Sequence, residues 1–237
     1  MSLTLEEVMD KLEAMGSEQT RKTFRNHGAE GPLFGVKVGD MKPLVKEVKR
    51  DQALALALYD TGNSDAMYLA GLAVNPKAMT QETLQQWARA AKWYATAEYP
   101  VAWVTAESPH ALELAREWMA SADEWIAVAG WSTYANYLSI TPNDELDLEE
   151  VRRLLETVER TIHGERNRVR YNMNAFVIAV GAYVPPLFED ALAVAERIGK
   201  VDVNLGKTAC KVPLASDYIR KIEEKGVTGK KKKTCRC

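Results

Sequence analysis

The sequence predicts an all-α fold, a curved stack of degenerate helix pairs of the α-solenoid type. Three observations lead there. Apolar residues recur with the 3.6-residue period in almost every segment, the periodic segments are short and joined by a few residues rich in Gly, Pro or Asn, and no alternating run is bounded as a strand should be.

The first segment, "LTLEEVMDKLEAMG", carries Leu5, Val8, Met9, Leu12 and Met15 on one face. A Thr4 to Glu7 capping box starts it and Gly16 stops it. A second short helix follows over Ser17–His27. The glycine-rich "GAEGPLFGVKVGD" then leads to Asp40, placed to cap a helix running to about Arg50. The pattern continues as Gln52–Tyr59, Ser64–Val74, Thr80–Tyr94, Glu98–Thr105, Ser108–Ala120 with Pro109 in its first turn, and Asp123–Leu138. After the turn "SITPNDELD" come Leu148–Ile162, Asn167–Tyr183 and Pro186–Ile198, and a last helix near Ala215–Lys225. Ten or so helices in units of roughly 35–45 residues fit HEAT-type repeats better than a four-helix bundle, which needs fewer and longer helices.

With 237 residues, 46% of them apolar and 27% charged, the chain has the composition of an ordinary soluble protein with a sizeable core. No window approaches a membrane span, and the start "MSLTLEE" lacks the basic and apolar regions of a signal peptide, so no membrane partner and a cytoplasmic location are expected. Cys210, Cys235 and Cys237 form neither a disulfide framework nor, with His27, His110 and His163 far away in sequence, a zinc set. No metal or cofactor is expected, and "CRC" reads as a loose tail. The formal charge of −2 hides a segregation: residues 207–237 hold 10 Lys and Arg against 3 Asp and Glu, which leaves a net −9 for residues 1–206. This suggests a helical domain over 1–206 followed by a basic helix and tail over 207–237. In that tail, Lys230, Lys231, Lys232 and Lys233 would attract a polyanion without regard to sequence, or simply keep the chain soluble.

The segment Lys92–Trp131 contains five of the six tryptophans. Tyr99 and Trp103, four apart, share a helix face. Such a cluster reads either as core or as a ligand surface. Arg166, Arg168 and Arg170 surround the start of the helix at Asn167, where charge and unpaired N–H groups together would suit phosphate oxygens. Asn172 and Asn174 read either as base-edge contacts or as local hydrogen bonders.

"FGVKVGDMKPLVKEV" and "YPVAWVTAESPHALELAREWMASADEWIAVAGW" resemble, in order and spacing, motifs of the DNA alkylation repair family, HEAT-like proteins that include glycosylases for 3- and 7-alkylpurines. The resemblance covers most of residues 20–200. It implies double-stranded DNA on a basic concave face, with an aspartate and two tryptophans around a lesion whose cationic base departs. The match puts Thr105 where the family has that aspartate, Val101 at one tryptophan, and Phe176 or Val177 at the other. Glu98 and Glu107 are the nearby carboxylates, with Glu98 the candidate for a displaced catalytic acid. A DNA N-glycosylase and a catalytically silent nucleic-acid or protein scaffold both remain open, as does any protein partner.

Overall fold

A computed structural model describes residues 3–236. Its regular structure is entirely helical, with no strand among the described residues. The chain forms two compact units. One runs to His110 and takes in Leu205–Ala209 and Arg236; the other comprises Ala111–Asn204 and Cys210–Cys235. The division at 110/111 lies within the segment 1–206 expected as one domain, and residues 207–236 are shared between the two units.

In the first unit, α1 (Leu5–Met15) starts at the expected capping box: the Thr4 hydroxyl accepts from the Glu7 N–H, and the Glu7 carboxylate accepts from the Thr4 N–H. Side-chain caps also begin α2 (Glu18–Asn26) at Ser17, α4 (Gln52–Asp60) at Asp51, α5 (Ser64–Ala73) at Asn63 and α6 (Gln81–Ala90) at Thr80. Helix α3 (Lys42–Val48) has no such cap: Asp40 does not cap it but lies in a 3₁₀ turn, Val38–Met41, that leads into Pro43 in the first turn. A proline there needs no N–H partner, so the helix starts without a side-chain cap.

The expected helices 80–94 and 98–105 are drawn differently. Helix α6 stops at Ala90, and a new helical stretch runs through α7 (Tyr94–Thr96), a π-helical turn at Ala97–Val101 and α8 (Ala102–Ala106). Pro100, inside that turn, has no N–H to donate, and the wider turn accommodates the missing bond. Helix α5, buried on most sides, lies against the turn. Gly71 permits the contact: a Cβ there would stand 2.6 Å from the Cα of Pro100. Beside them Tyr59 and Trp87 stack flat at 3.8 Å, and the Tyr59 hydroxyl donates to the Trp87 carbonyl at 2.8 Å.

The second unit is built from α9 (Ala111–Met119), α10 (Glu124–Ile140), α11 (Leu148–Thr161), α12 (Asn167–Tyr183), α13 (Phe188–Ile198) and α14 (Ala215–Glu224). Ser108 and Pro109 form a turn before α9 rather than its first residues, and the Ser108 hydroxyl accepts from the His110 N–H. Helices α10 and α12 are buried on most sides and pack on each other, with α9 against α10 and α13 and α14 against α12. Helix α11 buries a single stripe, Val151, Leu155 and Val158, and Glu150 on it accepts from Arg116 at 2.5 and 2.7 Å and from the Tyr134 hydroxyl at 2.9 Å. These bonds hold the Glu150 carboxyl below the usual carboxylate range, the Arg116 bond most of all. No single helix among the described residues is long and apolar enough to cross a membrane.

The Gly71 contact is open to direct test. Gly71→Ala forces α5 away from Pro100 and is expected to lower unfolding free energy by about 1–3 kcal/mol in urea titration, against an ordinary gain from a Gly→Ala change in a helix. A neutral or stabilising result would show that the two backbones are not in this contact.

Candidate functional site

Every position that the resemblance matches to a family aspartate or tryptophan is core. Val101, Thr105, Phe176 and Val177 are all 0% exposed. The Thr105 hydroxyl has no hydrogen-bond partner, and Phe176 meets Trp131 and Tyr134 edge to face at 5.3 and 5.7 Å. Glu98 is itself 4% exposed, carried in the π-helical turn. Glu107 is half-buried and pairs with Arg236 at 3.1 Å. The aromatic segment is therefore mostly interior: Trp93, Trp103, Trp118 and Trp131 are buried, and Trp125 alone of its five tryptophans is intermediate.

One carboxylate that sequence reasoning passed over organises the first unit. Asp65, buried in the first turn of α5, accepts from three successive backbone N–H groups, Phe34 at 2.6 Å, Gly35 at 3.0 Å and Val36 at 2.9 Å. These are the first residues of the "FGVKVGD" motif, and Gly35 takes φ +77°, a conformation that favours glycine. The signal was the run Asn63-Ser64-Asp65: Asn63 caps the helix, which leaves the following aspartate without a capping task and directed to another partner. Above this clamp lies a cavity of about 140 Å³ bordered by Phe24, Tyr68, Trp93, Tyr94, Tyr99 and Asp65. Tyr99 and Trp103 do share a face, with ring centroids 5.2 Å apart, but Tyr99 borders the cavity while Trp103 is buried.

The three arginines of the second unit do not form one patch. Arg166 donates to the Ser121 and Ala122 carbonyls at 2.9 and 2.7 Å, in the connection between α9 and α10, and pairs with Glu165 at 3.3 Å. Arg168 is buried, its guanidinium 4.1 Å above the Tyr171 ring, and its backbone N–H donates to Glu124 at 2.6 Å. The helix start thus already holds a carboxylate where the sequence offered room for phosphate. Arg170 is half-buried with its Nε unpartnered. Asn172 bonds locally, to the Arg168 carbonyl, whereas Asn174 donates to the distant Pro213 carbonyl.

The lysine run is docked. Lys230, Lys231, Lys232 and Lys233 border a cavity of about 470 Å³ together with Tyr183 and Val227. The Lys231 ammonium donates to the Leu138 carbonyl at 2.8 Å, the Lys232 N–H donates to that of Ser139 at 2.8 Å, and the Lys232 ammonium stands 5.6 Å from the Tyr183 ring. Leu138 and Ser139 lie in the last turn of α10, where carbonyls lack helical partners. Burial pushes the Lys231 ammonium down to about 8. Nor is "CRC" a loose tail: Cys235 is buried, with its thiol 3.6 Å from the Asn136 carbonyl, and Arg236 donates to the Val74 carbonyl at 2.8 Å. Cys237 lies outside the described residues, among which no His, Cys, Asp and Glu group is arranged to hold a metal.

The model of the family "DNA alkylation repair enzyme" matches residues 8–211. The chain belongs to this family. An uncharacterized Listeria innocua protein is 35% identical over 228 residues, covering 94% of this chain and 99% of its own. An uncharacterized Listeria monocytogenes protein matches to the same extent, 35% over 228 residues, again 94% and 99% of the two chains. A solved structure superposes with a TM-score of 0.91 at 38% identity, covering 99% of this chain and 100% of that one. It is described as a new family of proteins related to the HEAT-like repeat DNA glycosylases with affinity for branched DNA structures. The all-α, HEAT-like architecture expected from helix lengths is therefore that of the family.

Lys231 supplies a pH dependence with a definite sign. Its folded value of about 8 lies below that of an unfolded lysine, so between the two the unfolded chain binds more protons and stability rises with pH. The gain is complete above the unfolded value and lost as pH falls through about 8. Lys231→Met is expected to remove this rise from denaturation midpoints measured across the alkaline range; an unchanged profile would show that Lys231 titrates like an exposed lysine.

Proposed function

We propose that this protein binds DNA with a preference for branched structures, and that its release of alkylated purines is absent or far weaker than that of a carboxylate-bearing family member. The single observation that carries the first part is the likeness, over essentially the full length of both chains, to the solved structure described as having affinity for branched DNA. The exposed Lys230, Lys232 and Lys233 and the half-buried Arg170 are the basic groups best placed to meet phosphates, since Arg166 and Arg168 serve the fold. Double-stranded arms, rather than bases, are the expected contact, because such cations recognise phosphate without reading sequence.

The second part rests on burial. A leaving cationic purine needs a carboxylate close to the sugar as positive charge develops. At the acidic position Thr105 is neutral and inside the core, and Glu98 is inside as well. The family's description as a repair enzyme favours the second reading, N-glycosidic hydrolysis with Glu98 as the displaced acid.

Gel-shift titration with a four-way junction and a linear duplex of the same arm sequence separates the possibilities. The junction is expected to bind more tightly, and equal affinity for the two would sink the preference. Replacing Lys230, Lys232 and Lys233 by alanine is expected to weaken both and to flatten the logarithmic salt slope by up to about 0.9 for each phosphate that is no longer neutralised. An unchanged slope would remove the tail from the interface.

Single-turnover release of 7-methylguanine from methylated duplex tests the silent site. Wild type is expected to be slower than a carboxylate-bearing family member by roughly a hundredfold or more, the effect of losing about 3 kcal/mol of charge stabilisation. Robust release abolished by Glu98→Gln would establish the glycosylase reading instead. Thr105→Asp is a poor rescue, because it would bury an unpaired charge.

A further inference from the structure

The DNA-binding reading makes no use of the cavity beside Asp65. Five aromatic rings border it in an unbroken chain of contacts: Phe24 to Trp93 at 5.4 Å, Trp93 to Tyr94 at 5.2 Å, Tyr94 to Tyr99 at 6.4 Å and Tyr99 to Tyr68 at 6.2 Å. Successive planes are inclined by 49° to 73°, which turns both ring faces and ring edges along this border. Phe24, Tyr68, Tyr94 and Tyr99 are each only half-buried, which leaves the cavity reachable from solvent.

Asp65 borders the same cavity. Its carboxylate is 3% exposed and accepts three backbone N–H bonds, one fewer than the four lone-pair positions a carboxylate offers. No lysine, arginine or histidine is among the residues that border the cavity. A buried anion bonded only to neutral amides, beside several electron-rich ring faces, makes an environment that a positive charge stabilises. A neutral apolar ligand would instead strip the remaining solvent from the carboxylate without compensating it.

Size narrows the ligand further. An apolar cavity of about 150 Å³ holds a molecule of benzene's bulk, and this one measures about 140 Å³. A nucleotide is too large, and a bare metal ion would find one carboxylate and no other charged ligand. We propose that this cavity is an aromatic cage for a small organic cation, an alkylated ammonium group, held by Tyr68, Tyr94 and Tyr99 with Asp65 as the counter-charge. The inference stands apart from the DNA-binding reading and does not depend on it.

The test compares choline with 3,3-dimethylbutan-1-ol, its neutral isostere, by calorimetry and tryptophan fluorescence on the full chain; Trp93 in the wall is the reporter. Choline is expected to bind saturably and the isostere roughly tenfold more weakly, the scale of a desolvated cation–π contact. Tyr99→Leu is expected to reduce choline affinity by a similar factor while leaving the helical circular dichroism intact. Absence of saturable choline binding at millimolar concentration, or equal affinity for the isostere, would overturn the proposal. The wild-type comparison decides the matter even if the variant fails to fold.

Discussion

A fold made only of helices leaves carbonyls without partners at helix ends and in the loops between them, and in this protein long cationic side chains satisfy several of those groups. Arg25 reaches the carbonyls of Ala29 and Gly31 just beyond α2, and Arg21 reaches that of Phe34. Arg166 holds the connection after α9, Lys231 the last turn of α10, and Arg236 the end of α5. With no sheet to take up these acceptors, the arrangement of helices depends on such bonds. The mirror-image task, satisfying loop N–H groups, falls to Asp65.

This constraint explains which parts of the protein were legible in its sequence. Helix existence was, because period and caps are local: the Thr4 capping box and the Gly16 stop of α1 stand where the sequence places them, although the Asp40 cap does not. The π-helical turn was not, since it reflects the packing of Pro100 on Gly71 across about thirty residues of chain. Arg166 looked like a phosphate ligand for the same reason. A guanidinium suits a carbonyl and a phosphate alike, and only the tertiary structure brings the Ser121 and Ala122 carbonyls to it.

The aromatic segment divides along similar lines. Most of its large side chains are there because helices meeting at close range need volume: Trp118 and Trp131 fill the second unit, and Trp103 the first. The family motif containing Tyr99 is thus a packing device as much as a surface. Thr105 and Val101, in the same segment, belong to that interior.

Arg236 carries a consequence for how the protein is made. It belongs to the first unit, bonded to Val74 and paired with Glu107, and Lys207 donates to the Asn26 carbonyl in that same unit. A ribosome releases residues in order, so the helices up to His110 emerge long before the partners that complete them. During that interval Glu107 waits for its arginine. The unit that is made before the other gains its last bonds only after the other has been made, and a nascent chain stalled short of residue 236 leaves it unfinished.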